Sequence, residues 1–213
     1  IWQKLGRIPL MILCITGPMA AGKNAVCRIL EERGFIALDA DRQVHGAIEK
    51  AAPEIIKTFS KEANAQNITL TDKNERINRR ELGRLLFTSK DLLAKQERIV
   101  YPVIIEETKR FIQKQQEQKK EADIILNATV LYKTPELLRL CKYIIYVDAP
   151  KITRLARALK RDRMPLRQIL SRFATQKGLF SEYKKTGVPI IKITNAGSEK
   201  KRKSAIKSLS ILQ

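Results

Sequence analysis

Cysteine, glycine and the aromatics are all scarce in this chain of 213 residues, and each shortage narrows the reading. The three cysteines, Cys14, Cys27 and Cys141, are an odd number with no C-x-x-C spacing, which removes a disulfide framework and a zinc site from consideration. That usage fits a reducing cytoplasm. Aromatic residues make up 6% and are not interleaved with basic ones as a base-stacking platform requires, which weighs against a nucleic-acid-binding protein. No apolar run approaches the roughly 20 residues that cross a bilayer, and the longest, Ile8 to Ile15, is interrupted by Pro9. Acidic residues are short as well. Against 42 Lys+Arg stand 22 Asp+Glu, and the resulting +20 points to polyanionic partners such as nucleotides, nucleic acid or an acidic membrane surface. What is plentiful is apolar content, 44%, enough for one domain or one domain with an insertion. With only nine glycines in the chain, a tight glycine cluster stands out.

One such cluster begins at Gly17. Leu10 to Thr16 is a short apolar run ending there, and Ala25, Val26, Ile29 and Leu30 then recur at helical spacing up to Gly34. This reads as strand, glycine turn, helix. Phe35 to Leu38 follows as a second buried strand that delivers Asp39 and Asp41 at its carboxyl end. From Pro53 to Lys120 the pattern is almost wholly helical, with Pro102 placed in the first turn of a new helix. Asp123 to Leu126, Tyr143 to Val147 and Pro189 to Ile193 have the brevity and β-branched content of buried parallel strands. Helical stretches lie at Pro135 to Cys141 and Ile152 to Lys160, and Ser198 to Leu212 reads as a terminal amphipathic helix. Strands alternating with helices predict an α/β fold with a parallel sheet. The insertion between the second and third strands, about 80 residues, far exceeds an ordinary βα loop. It is expected to be a helical subdomain over 51–120, carried by a core of 11–50 and 121–213, with residues 1–10 as an extension without assigned role. Arg161 to Pro165 (RDRMP) has the composition of a hinge for a lid near 157–170.

Gly17, Pro18, Met19, Ala20, Ala21, Gly22 and Lys23 satisfy G-x-x-x-x-G-K in the strand-to-helix context that a phosphate-binding loop requires. Average composition gives roughly 0.06 chance matches in such a chain, so the spacing is informative. Such a turn aims backbone N–H groups at phosphate oxygens, the helix N-terminus adds positive potential, and Lys23 bridges the terminal phosphates of a nucleotide such as ATP. Lys4 and Arg7, the apolar run and Met19-Ala20-Ala21 imitate a secretory signal, but the supposed cleavage site is the phosphate loop itself. The eighth position, where a hydroxyl normally meets Mg²⁺, is Asn24, followed by Ala25; an amide oxygen is a neutral hard ligand acceptable to that ion. Asp39 and Asp41 sit on the edge where ligands of open α/β sheets bind. There, one carboxylate can hold Mg²⁺ or its waters while the other orients an attacking hydroxyl and accepts its proton. His45 follows Asp41 by four residues, on the same helical face. Arg154, Arg157 and Arg161 recur at three and four residues, placing three guanidinium forks on one face to meet phosphate oxygens.

In order and spacing these residues resemble the dephospho-CoA kinase family from about Ile12 to Gly197. ITGPMAAGK is similar to the family's LTGGIASGKST, and Leu38-Asp39-Ala40-Asp41 with His45 to its IDAD-x-x-x-H. Arg79, Leu82, Gly83 and Phe87 match R-x-x-L-G-x-x-x-F. VDAP followed by Arg157 and Arg161-Asp162 matches the stretch entering its lid, Arg172 and Gln176 its R-x-x-x-Q, and Asn195-Ala196-Gly197 its N-S-G. The resemblance implies a five-stranded parallel P-loop kinase core, a helical CoA domain in the insertion, and a lid. It also implies ATP with Mg²⁺, and phosphoryl transfer to the ribose 3′-hydroxyl of dephospho-CoA. By position Asp41 is then the base and Asp39 its partner near the metal. Thr16, the loop from Gly17 to Ala25 and Asn195 fall on the ATP side, His45 and Arg79 on the substrate side, and Arg157 and Arg161 on the lid. Four positions depart from the family: Asn24 for Ser/Thr, Tyr101 where His precedes Pro102, and Thr129 and Lys133 at the Pro and Glu of a PLLFE-like stretch. The competing readings are another P-loop kinase of nucleotides or nucleosides, a weakly active nucleotide-binding relative, and a basic nucleic-acid-binding protein.

Overall fold

Apolar burial decides the middle of the sheet. The computed structural model describes residues 11–118, 123–162, 164–196, 203, 204 and 206. β1 (Ile12–Thr16) is buried at all five positions and takes the central place. On one side it pairs with β3 (Ile124–Asn127), which in turn pairs with β2 (Ile36–Asp39). On the other it pairs with β4 (Tyr143–Asp148), followed by β5 (Ile190–Thr194). All four pairings are parallel and the order is β2-β3-β1-β4-β5, the five-stranded α/β sheet expected. Parallel strands covered on both faces read as continuous apolar runs, which is why β1, β3 and β4 are legible in sequence. β2 corrects the expectation of a second buried strand, since all four of its residues are only half-buried. It lies at the edge of the sheet, where no strand among the described residues covers one flank.

The described chain forms two units, Ile1–Asp39 with Ile112–Gln213, and Ala40–Phe111. In the first, α1 (Lys23–Glu31) buries Val26, Cys27, Ile29 and Leu30 in one cluster with Leu13, Ile15, Ile125, Ile145 and Val147. A 3-10 turn (Leu131–Lys133) and the short α6 (Pro135–Leu138) follow β3; α6 stops before the expected Cys141. After β4 come α7 (Lys151–Asp162), α8 (Leu166–Thr175) and α9 (Leu179–Lys184). The break between α7 and α8 falls within the expected RDRMP segment, with Pro165 leading into α8. Of the expected terminal helix over Ser198 to Leu212, only 203, 204 and 206 are described, and they are helical; the rest, and residues 1–10, lie outside the described residues.

The second unit holds α2 (Ala40–Lys50), α3 (Ala52–Ala65), α4 (Arg79–Leu86) and all but the last turns of α5 (Lys90–Gln118). Asn78 caps α4 by accepting from the Glu81 N–H at 3.3 Å. Ile55, Phe59, Leu82 and Leu85 are buried here, and Thr108 and Glu107 of α5 bond Gln43 and Lys50 of α2. Pro102 lies inside α5 and does not open a new helix. An internal proline costs roughly 3 kcal/mol, and burial of Leu92, Val100 and Ile104 along the same helix offsets that cost.

Tyr183 of α9 ties this framework together. Its fully buried hydroxyl accepts from the Leu131 N–H at 2.9 Å and donates to the Thr129 carbonyl at 3.2 Å. Thr16, the last residue of β1, donates to the same carbonyl at 3.2 Å. The ring packs edge-on against Tyr132 at 5.3 Å. Tyr183→Phe leaves the buried Leu131 N–H without its acceptor, a loss of about 1–3 kcal/mol. At roughly 2–4 °C per kcal/mol for a chain of this size the melting temperature is expected to fall by several degrees. An unchanged melting curve would show that the hydroxyl carries no stability.

Candidate active site

The turn from β1 to α1 is shaped by residues with backbone conformations or clearances that few side chains tolerate. Gly17 has φ 144°, and a Cβ there would lie 2.0 Å from the Val147 carbonyl oxygen of β4. Gly22 has φ 98°, and a Cβ there would lie 2.0 Å from Nδ2 of Asn195. Ala20 holds φ 60°, a left-handed conformation that costs an ordinary residue roughly 1–2 kcal/mol. Backbone strain of this kind is kept where a loop must wrap a ligand.

Behind the loop, polar side chains occupy its carbonyls. Arg154, 8% exposed, donates from Nε to the Met19 carbonyl at 2.9 Å and lies 4.3 Å from the ring centre of Phe173. Arg157 donates to the Ala21 and Ala20 carbonyls at 3.3 and 3.5 Å and to the Asn195 carbonyl at 3.1 Å. Buried Asn195 donates from Nδ2 to the Ala21 carbonyl at 2.7 Å, while its N–H meets the Asp148 carbonyl at 2.7 Å. The Met19 N–H is held by Oε1 of Gln176 at 2.7 Å. Ala20 also packs with Ala158 and Ile169 of α7 and α8, both fully buried. Arg154, Arg157 and Asn195 thus hold the loop's carbonyls, an arrangement that favours negative charge on its N–H side, where Gln176 takes up the Met19 N–H. Lys23 curls over the loop, donating from Nζ to the Gly17 carbonyl at 3.0 Å.

Dephospho-CoA kinase is the description of the family model that matches residues 11–200. The chain belongs to the dephospho-CoA kinase family. Relatives named dephospho-CoA kinase include one from Treponema denticola, 38% identical over 173 residues covering 81% of this chain and 77% of the relative. Another, from Treponema pallidum, is 33% identical with 87% of each chain covered. Among solved structures, a Thermus thermophilus protein, TT1252, superposes with a TM-score of 0.74 at 24% identity, covering 95% of this chain and 97% of its own. Dephospho-CoA kinase from Campylobacter jejuni gives 0.61 at 22%, with 97% and 99% covered. At those identities the two structures speak to the fold.

Within this dephospho-CoA kinase chain the first unit gathers Thr16, the loop from Gly17 to Ala25, Arg157 and Asn195 around one turn of backbone. Arg161 is placed differently. Its side chain is 62% exposed and forks onto Asp162, which raises the guanidinium's proton affinity and holds the carboxyl of Asp162 low. Asp39 ends β2 in the first unit, whereas Asp41 stands in the first turn of α2 in the second. His45 shares α2 with Asp41 one turn on, and both are exposed, as is Arg79 at the start of α4. Of the positions that depart from the family, Tyr101 lies on α5 and Thr129 lends its carbonyl to Thr16 and Tyr183. Lys133 ends the 3-10 turn. The cysteines are all buried; burial pushes Cys27 and Cys141 up to about 12 and Cys14 well above its usual value, so each stays a neutral thiol.

One polar residue of the site escaped sequence reasoning. Asn127 closes β3 beside Asp39 in the strand register and donates from Nδ2 to Oδ1 of Asn24 at 3.0 Å. The available signal was a lone amide at the carboxyl end of the apolar run Ile124–Asn127.

Proposed function

We propose that this chain transfers the γ-phosphoryl group of ATP to the ribose 3′-hydroxyl of dephospho-CoA, yielding CoA and ADP. The observation that carries the reading is a fully formed phosphate loop in a chain whose family match runs from residue 11 to 200. ATP lies along the N–H side of Gly17–Asn24, with Lys23 turned from the Gly17 carbonyl to the terminal phosphates. Thr16, Ala25 and Asn195 stand on the ATP side, Arg157 fixes the loop through the Ala20 and Ala21 carbonyls, and Arg161 is the guanidinium that meets the phosphates from the lid. Dephospho-CoA is received by the helical second unit, where His45 and Arg79 face it. Asp41 takes the proton of the attacking 3′-hydroxyl, and Asp39 serves the metal.

Asn24 and Asp39 are the residues that would hold Mg²⁺. The donor set fits: a hard amide oxygen at the start of α1 and a strand-end carboxylate, linked through Asn127, which bonds one and neighbours the other. Among the described residues no cluster of three or more His, Cys, Asp or Glu could cage a metal, which suits an ion carried largely by substrate phosphates. Bound there, Mg²⁺ would supply positive charge to the transferring phosphate. The reaction belongs in the cytoplasm, a compartment consistent with three buried, unpaired thiols.

Incubation with ATP, Mg²⁺ and dephospho-CoA, with adenosine and nucleoside monophosphates as competing acceptors, tests this. Equal amounts of CoA and ADP are expected, with little phosphorylation of the competitors. Faster phosphorylation of adenosine or a nucleoside monophosphate would make the chain a kinase of those acceptors.

A further inference from the structure

The amide of Asn127 is half satisfied. Its Nδ2 donates to Asn24, but its Oδ1 is buried and has no hydrogen-bond partner among the described residues. The residue is only 6% exposed, at the carboxyl end of β3, with Asp39 and Ile15 as its neighbours in the adjoining strands. Buried carbonyl oxygens are nearly always paired, and an orphan at a ligand-binding edge calls for a partner that arrives with the ligand. Asn24, by contrast, is exposed in the first turn of α1. An unrestrained Asn24 could turn either its oxygen or its NH₂ toward a cation, and only the oxygen attracts one. The bond from Asn127 fixes that choice. An amide oxygen has two lone pairs, so Oδ1 of Asn24 can accept from Asn127 and still ligate.

We propose that Asn127 is a second metal-subsite residue, coupled to Asn24 as a neutral amide pair. Asn127 Nδ2 orients the oxygen of Asn24, and Asn127 Oδ1 is offered to the divalent cation that accompanies the nucleotide. This rests on the phosphate-loop reading above. The pair supplies two oxygens and no charge, leaving Asp39 as the carboxylate of the subsite. Such a site binds its cation weakly until nucleotide phosphates complete it.

Mn²⁺ is the probe, with free ion counted by its electron paramagnetic resonance signal in the full chain saturated with ADP. Metal-free binding of a fluorescent ADP analogue is measured in parallel. Asn127→Leu, which keeps the bulk and removes both polar atoms, is expected to weaken Mn²⁺ binding at least tenfold and to leave metal-free ADP binding within twofold. Asn127→Asp, which puts a charged oxygen in place of Oδ1 and removes the N–H that orients Asn24, is expected to tighten Mn²⁺ binding at least tenfold because the added carboxylate charge outweighs the lost orienting bond. The effect of Asn24→Ser on Mn²⁺ affinity is expected to differ by more than fivefold with and without Asn127→Leu. Mn²⁺ affinity within twofold of wild type in Asn127→Leu would reduce Asn127 to a packing role, and additive effects in the double variant would dissolve the pair. If Asn127→Leu does not fold, Asn127→Asp decides, and unchanged or weaker Mn²⁺ binding there overturns the proposal. Loss of ADP binding by the wild-type chain would instead overturn the phosphate-loop reading.

Discussion

Lys23→Ala is expected to reduce phosphoryl transfer by at least about 10³-fold with little change in melting temperature. A single preorganised donor aimed at developing charge is typically worth about 10²–10³ in rate, and Lys23 adds a full positive charge at the start of α1. The cost to the fold is small because the side chain reaches over the loop from a half-exposed position and fills no part of the core. Turnover and thermal melting, measured side by side, check it. Near-normal turnover would remove the phosphate loop from the chemistry, whereas lost turnover with lost melting cooperativity would mean that the lysine is structural.

Asp41→Asn keeps the shape of the side chain and removes its basicity, so kcat is expected to fall by about 10²–10⁴, the usual contribution of a general base. ATP affinity should change far less, because Asp41 stands outside the unit that contains the phosphate loop. Stability should barely move, since Asp41 is exposed and a charge in the first turn of a helix is worth only about 0.3–1 kcal/mol. Asp39→Asn is the control. It is expected to raise the Mg²⁺ concentration needed for half-maximal rate, a shift that Asp41→Asn should not show. A larger kcat loss in Asp39→Asn, with the metal dependence moving in Asp41→Asn, would exchange the two roles.

The phosphate loop was legible because its requirements are local: two glycines at fixed spacing, a lysine, and a strand and helix on either side. The parallel sheet was legible for a related reason, since residues 12–15, 124–126 and 144–147 are buried and carry uninterrupted apolar runs. Reading failed where the environment, not the segment, decides. Nothing in Ile36–Asp39 says that it lies at the edge of the sheet. A proline ordinarily opens or breaks a helix, and only burial on both sides of Pro102 carries α5 through it. α9 is six residues long, too short for a helical period to emerge, yet it delivers Tyr183 to Thr129 and Leu131.

At the site the same division holds. Arg154, Arg157 and Arg161 were legible as a helical row, but which group each one meets is set by tertiary contacts. Two brace loop carbonyls and the third pairs with the adjacent Asp162. Asn24 could be read as a departure from the expected hydroxyl; its partner Asn127, 103 residues away, becomes visible only through the packing of α1 on β3.

The position of the transferred phosphate is the most direct test. Products formed from ATP with dephospho-CoA, and with its 3′-deoxyribose analogue, can be separated by mass and located by phosphorus NMR. One new phosphate on the ribose 3′-oxygen of dephospho-CoA, one ADP per CoA, and no product from the 3′-deoxy analogue are expected. Equal ATP consumption with both compounds, or phosphate at any other position, would contradict the assignment of this chain as the kinase of the dephospho-CoA 3′-hydroxyl.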